Sequence, residues 1–422
     1  MANVTPPRGM RDFLPAEKAR RERVLATIRG SYRAHGFDEI ETPVMEDTER
    51  LHSGLGGDNE KLAFAVMKRG LSADDLAAAA AADDALALAD LGLRFDLTVP
   101  LARFYASHRA ELPPVFRAIQ IAPVWRAERP QKGRYRQFVQ CDIDIIGEAG
   151  PLAELELLEA TTDTLAVLGL NDCRIRINDR RVLTGLLEHW GVPAAAHPRV
   201  LITLDKLDKL GAEGVAAELA TLDVAPVLAD TAAIATTLTE LASAGWELQG
   251  ASAPAWLNAE AYADLLALRA ALPNTVLEFD PTLVRGMGYY TGTIFEIAHP
   301  ELPYSLGGGG RYDGMIGRFL GQDVPACGFS IGFERIVDLV ELSGDNVEQS
   351  LAVLFDAAID PADLLALKRA LLADGVRARF EKRAKNQKAQ LERLHAEGFS
   401  RFAVLDAGAA IDAGALNIRD LT

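Results

Sequence analysis

The chain has 422 residues, 49% of them hydrophobic and 25% charged, which supplies more than one buried core and excludes a disordered polymer. Its 60 acidic residues against 44 basic ones leave a net charge of −16, which excludes a protein that coats nucleic acid through a generally basic surface. No run of eighteen apolar residues is present, and the N-terminal MANVTPPRGMRDFLP is no secretion signal, so a cytoplasmic chain with no membrane partner is expected.

In chain order, Val24, Ile28 and Tyr32 recur at helical spacing, and Gly36 offers a stop, so a helix is predicted over Ala16–His35 ahead of a strand in DEIETPVM. The Ala- and Asp-rich stretch Ser72–Asp90 reads as a local helix. VFRAIQIAPVWRAE and YRQFVQCDIDIIG form two extended runs joined at RPQKG, an antiparallel pair with a charged loop. Between about residues 179 and 280 the sequence turns to Ala/Leu-rich helical segments such as GAEGVAAELATL, the pattern of an inserted helical domain. Strand signals return in TVLEFD, TGTIFEIA and CGFSIGF. After Asn346, LAVLFD, VRARFE and RFAVLD alternate with helical segments and predict a small α/β domain. The domain boundaries that follow are 1–180 and 276–345 for an α+β core in two parts, 181–275 for the helical insertion and 348–422 for the C-terminal unit.

Local charge matters more than the sum. Arg117, Arg126, Arg129, Lys132, Arg134 and Arg136 gather against Glu128 alone, and a second cluster holds Arg377, Arg379, Lys382, Arg383, Lys385, Lys388 and Arg393. Two basic patches on an acidic chain suit selective contact with a polyanion. Arg126, Arg134 and Arg136, with Gln131 and Lys132 in the loop, could clamp a polyphosphate, because guanidinium groups pair with phosphate oxygens and keep their charge; solvated arginines on a surface hairpin are the plainer alternative. In LVRGMGYYTGTIFEI, Arg285 beside Tyr289 and Tyr290 could hold a zwitterionic amino acid, or the segment is a tight turn before a buried strand. The run Gly307–Gly310 permits close backbone approach or makes a flexible turn, and it lacks the GxxxxGK[ST] pattern of a phosphate loop. Asp96, Leu97 and Thr98 in LRFDLTVP, with Gln140 and Asp144 in VQCDIDIIG, include carboxylates and an amide that suit a cationic amino group, although ordinary polar strand edges look the same. Cys141, Cys173 and Cys327 lack CxxC spacing and the seven histidines lack ligand spacing, so no protein-bound metal is expected.

WRAERPQKGRYRQF, Trp125 to Phe138, is similar to the second signature motif of class II aminoacyl-tRNA synthetases in its histidyl form. LVRGMGYY and SLGGGGRYDG resemble the two histidine signatures of that family, GFSIGFERI resembles the third class II motif, and Pro43 falls at the proline of the first. The resemblance to histidyl-tRNA synthetases implies an antiparallel six-stranded core with flanking helices, a helical insertion, a C-terminal anticodon-binding-like α/β domain and a homodimer joined through the first motif. It implies catalytic roles for Arg126 and Arg285, and a histidine pocket of Asp96, Leu97, Thr98, Arg126, Gln140, Asp144, Arg285, Tyr289 and Tyr290. ATP would meet Arg126, Glu128, Arg134, Phe138 and Arg335, and Gln131 would approach the tRNA acceptor end. The partners implied are L-histidine, a histidine tRNA and ATP with Mg²⁺, for which Glu296 is a candidate contact. Gly288 departs from the family, which usually places Asp there. A histidine-sensing paralogue, the regulatory subunit of ATP phosphoribosyltransferase, shares the core and is the alternative; the arginines of the three motifs and the C-terminal unit favour the enzyme.

Overall fold

The computed structural model describes residues 4–52, 62–130, 134–248, 253–285, 288–340 and 350–421. Gln131 and Lys132 lie outside the described residues. The strands run β1 (Asp38–Glu39), β2 (Met45–Asp47), β3 (Phe64–Met67), β4 (Ala89–Leu93), β5 (Phe116–Trp125) and β6 (Gln137–Ile146). After them come β7 (Arg174–Asp179), β8 (Leu277–Phe279), β9 (Thr293–Ala298), β10 (Gly307–Arg311) and β11 (Ala326–Gly332). The last are β12 (Ser350–Phe355), β13 (Arg377–Lys382), β14 (Arg401–Leu405) and β15 (Ile418–Asp420).

The chain divides into two compact units, residues 1–11 with 25–340 and residues 12–24 with 341–422. The first is built on an eight-stranded sheet of order β1-β5-β6-β11-β10-β9-β7-β8. The expected six antiparallel strands are its middle, β5 to β7, and β1 and β8 add one parallel strand at each edge. β6 is buried on both faces over Gln140–Ile146, which is why Cys141, Ile143 and Ile145 alternate there with polar residues that must find partners inside. The predicted helix spans Pro15–Ala34 and buries Val24, Ile28 and Tyr32; Gly36 ends it at φ +83°, a left-handed conformation glycine adopts without strain. The Ala-rich stretch is the helix Ala73–Ala82, started by a reciprocal cap between Ser72 and Asp75.

Helices Arg180–His189, His197–Leu204, Leu207–Ala220, Thr231–Ala242 and Ala259–Ala271 fill the interval between β7 and β8. Leu187, Val200, Leu219 and Leu238 form a core there that also takes Leu283 and Val284. A second core gathers Phe95, Val99, Tyr105, Tyr289, Tyr312 and Met315. Val284 therefore belongs to the first of these cores and Tyr289 to the second. The glycine run is no turn: Gly307–Arg311 is strand β10, central in the sheet.

The second unit has a sheet of order β13-β12-β14-β15, parallel but for β15, with helices Pro361–Ala373 and Gln387–Ala396. Leu351, Val353, Leu367 and Leu405 pack on one side and Ala352, Leu354, Leu394 and Phe399 on the other. Much of its basic cluster is neutralised locally: Arg379 pairs with Glu397, Arg383 with Asp356 and Asp406, and Arg393 with Glu381 and Glu397.

Candidate active site

Alternation along β6 points Gln140, Asp142 and Asp144 to one side, opposite Gly332, Ser330 and Gly328 of β11. All three are nearly inaccessible, as are Asp96 and Thr98 on the turn entering helix Thr98–His108. Asp96 accepts the Val99 N–H at 3.2 Å, which fixes one carboxylate oxygen. Gln120 donates to the Leu97 carbonyl at 3.0 Å, so Leu97 contributes backbone geometry while its side chain is in the core. Tyr312 donates to Asp144 at 2.6 Å, and Thr98 and Tyr289 approach at 3.5 Å. The Tyr289 ring lies 4.9 Å from Tyr290 and 5.9 Å from Tyr312.

Three carboxyls facing one buried volume resist ionisation. Burial pushes Asp96 up to about 6, against the Val99 N–H and the nearby Arg126 charge, which pull it down. Burial pushes Asp144 up to about 7, with the Tyr312 hydroxyl opposing and Asp96 adding to the rise. Burial, then Asp144, holds Asp142 well above the usual carboxylate range. This end of the site calls for a cation. Tyr289, Tyr290 and Tyr312 are also raised, chiefly by burial, and stay neutral donors.

Beside the acidic end lies a basic one. Arg126 donates from Nε to the Phe95 carbonyl at 3.0 Å and lies 5.0 Å above the Phe138 ring. Arg285 donates to Glu296 at 2.7 Å. Arg335 donates to the Ser305 carbonyl and lies 5.8 Å from the Tyr304 ring. Arg335 is depressed by burial first and then by the charges of Arg134, Arg285 and Arg126. Arginines from three distant segments thus converge, and the surplus of positive charge suits a polyanion. Arg134 is the most exposed of them and sits 3.6 Å from Glu128. Arg285 shows the opposite balance: burial pulls it down, but Glu296 raises it overall.

Glycines clear the floor of the site. A Cβ on Gly308 would stand 2.6 Å from Arg285 Cζ, one on Gly310 would stand 2.9 Å from Tyr290 Cδ1, and one on Gly328 would stand 1.9 Å from Asp144 Oδ1. The run at 307–310 therefore serves close approach within a strand. The neighbours Arg311 and Tyr312 face apart: Tyr312 meets Asp144, while Arg311 turns to Glu154 at 2.6 Å and to the Gly150 carbonyl at 3.1 Å. Gly288 occupies an exposed turn.

Two residues escaped sequence reasoning. Asp142 shares the face of Gln140 and Asp144, and period-two alternation was the signal. Arg176 on β7 bonds Glu296 at 2.9 Å, Asp280 at 2.8 Å and Asp208 at 2.9 Å; nothing local to Arg176 in the sequence signals partners so remote. Glu296 gives one oxygen to Arg176 and the other to Arg285, and each oxygen keeps a second lone pair for a cation.

A model of the family described as histidyl-tRNA synthetase matches residues 9–336. A histidine–tRNA ligase of Leifsonia xyli subsp. xyli is 62% identical over 429 residues, spanning 99% of each chain. A crystal structure of histidyl-tRNA synthetase from Nostoc sp. PCC 7120 superposes with a TM-score of 0.72 at 25% identity, covering 100% of this chain and 95% of that one. A Bacillus halodurans structure described as an ATP phosphoribosyltransferase regulatory subunit/histidyl-tRNA synthetase has a TM-score of 0.70 at 22% identity, covering 96% and 99%, and shows the fold alone.

Proposed function

The chain belongs to the histidyl-tRNA synthetase family, and from that premise we propose that it is an ATP-dependent ligase joining L-histidine to the 3′ end of a histidine tRNA. The observation that carries the site assignment is the meeting of two poles, where Arg126 donates to the carbonyl of Phe95, the residue before the buried Asp96. A zwitterion fits across that seam, with its ammonium toward Asp96, Asp142 and Asp144 and its carboxylate toward Arg126 and Arg285.

In the first step a carboxylate oxygen of histidine attacks the α-phosphorus of ATP, the bond to the bridging oxygen breaks, and pyrophosphate leaves. Arg126 and Arg285 hold the α-phosphate and the attacking carboxylate, and Arg335 with Arg134 takes the outer phosphates. Phe138 stacks on the adenine, and Glu128 contacts the nucleotide from the loop. No side chain acts as a nucleophile, because positioning and charge stabilisation supply the acceleration. In the second step a hydroxyl of the terminal tRNA ribose attacks the acyl carbon, its proton passes to the departing phosphate, and AMP leaves. Gln131 approaches the acceptor end during that step. Mg²⁺ would be held with the phosphates of ATP, with Glu296 as its candidate contact, and would neutralise charge on them.

Tyr289 and Tyr290 line the imidazole side with neutral donors, with Thr98 beside Tyr289, while the Tyr312 hydroxyl stays on Asp144. Residues 181–275 act as a helical insertion between the two parts of the core, 1–180 and 276–345, and residues 348–422 as the anticodon-binding-like unit. Val44, Met45 and Met67 leave apolar surface exposed near the first motif, which supports a homodimer through that face. Among the described residues no helix is long and apolar enough to cross a membrane, and we assign the enzyme to the cytoplasm. The histidine-sensing alternative has the same fold, but the converged arginines and the full-length ligase relative favour catalysis. The test is charging of a histidine tRNA transcript with L-histidine and ATP. Acylated tRNA is expected; histidine binding without any acylation would favour the sensor.

A further inference from the structure

Gln140 has one end of its amide held and the other free. Its Nε2 lies 3.1 and 3.3 Å from the two oxygens of Asp142 and 3.3 Å from Ser330 Oγ. Its carbonyl oxygen is buried with no hydrogen-bond partner among the described residues, and the same holds for Oδ2 of Asp96. Buried acceptors in that state are unfavourable until a donor arrives. With the substrate ammonium in the pocket Asp142 is ionised, and an ionised carboxylate only accepts, so it attracts the nitrogen of a neighbouring amide and repels its oxygen. Asp142 thereby decides which end of Gln140 is left over.

We propose that Asp142 is a positioning residue for the amino-acid substrate: by holding the Gln140 nitrogen it presents the Gln140 carbonyl oxygen to the substrate ammonium. The role rests on the histidine-pocket reading above and deepens it. A carbonyl acceptor beside Asp96 and Asp144 selects a ligand that brings N–H donors and positive charge, and it disfavours one that brings an acceptor. The incoming ammonium also favours the ionised form of all three carboxyls, which strengthens the hold on the amide.

The experiment exchanges the two chemistries. In D142N the new amide can donate to the Gln140 oxygen, so the side chain turns and offers N–H groups to the substrate. KM for L-histidine in ATP–pyrophosphate exchange is expected to rise by about tenfold or more, with KM for ATP little changed. In the pair D142N/Q140E the amide introduced at position 142 donates to one oxygen of the carboxylate introduced at position 140. The other carboxylate oxygen then faces the pocket, so KM for histidine returns toward the wild-type value. A second readout compares inhibition by histidinol with inhibition by its deamino counterpart, which lacks only the ammonium. The preference for histidinol shrinks in D142N and returns in the swapped pair. Melting curves establish which variants are folded; if D142N is not, the swapped pair decides alone, by binding histidine nearly as the wild type does. Unchanged histidine KM in D142N, or a swapped pair no better than the product of the single changes, overturns the inference. Loss of histidine-dependent exchange in the wild type would instead overturn the pocket reading beneath it.

Discussion

Tyr312→Phe removes a single oxygen and keeps the ring that packs 5.9 Å from Tyr289. The lost hydroxyl donates to Asp144 at 2.6 Å, in opposition to the burial that pushes Asp144 up to about 7. A hydrogen bond to a charged group contributes roughly 1.5–3 kcal/mol, and about 1.4 kcal/mol corresponds to one pKa unit, so Asp144 should rise by about one to two units more. At pH 7 the ionised fraction then falls from about one half to between about 10% and about 1%. If the ionised carboxylate binds histidine, kcat/KM for histidine in exchange drops by about 5- to 50-fold at pH 7. The deficit closes as pH rises toward about 9, because the carboxyl ionises again above its new pKa. Histidine titrates identically in both assays, so the ratio of variant to wild type isolates the protein group. A ratio that stays flat from about pH 6 to about pH 9 would refute the claim that Asp144 ionisation governs binding.

Gly328→Ala places a methyl group where Asp144 Oδ1 stands, at 1.9 Å, and against Tyr312 Cε1 at 3.2 Å; KM for histidine should rise by about tenfold or more while KM for ATP holds, and equal effects on both would contradict the assignment. Asp144→Asn should stabilise the ligand-free protein at pH 8 but not at pH 4. A carboxyl raised on folding to about 7 leaves the folded state more stable at low pH, and that advantage is lost as pH climbs from about 4 through about 7. The gain, up to about 4 kcal/mol, is read from urea unfolding at the two pH values, and a pH-independent difference would sink the idea. Arg176→Gln frees one oxygen of Glu296 and unpairs Asp280, so Arg285 loses its fixed partner geometry. Exchange kcat should fall by about tenfold with a smaller change in histidine KM, and an unchanged kcat would show that Arg176 is only structural.

Local pattern carried much of this molecule. The hairpin of β5 and β6 was legible because two apolar runs flank a charged loop, and the C-terminal α/β unit because strand and helix periods alternate after Asn346. Arg126, Arg285 and Arg335 were recognisable from the motifs that hold them, but their convergence is a property of the sheet, which brings β6, β9, β10 and β11 side by side. Arg176 was out of reach for the same reason, since its partners Asp280 and Glu296 lie 104 and 120 residues away. Asp142 was within reach, because the alternation that singled out Gln140 and Asp144 passes through it. The glycine run was ambiguous because glycine is the usual residue of turns as well as of close contacts, and only the register of β10 between β9 and β11 decides. Arg311 and Tyr312 are adjacent in the second signature, yet successive residues face opposite ways, and its side takes Arg311 to Glu154.

ATP–pyrophosphate exchange tests the central claim most directly, because it reports formation of the aminoacyl-adenylate without requiring tRNA. The wild-type protein should exchange label only when L-histidine is present, and Arg285→Ala should be folded and nearly inactive. Exchange that is absent, or equally fast with other amino acids, would contradict a histidine-activating site built on these residues.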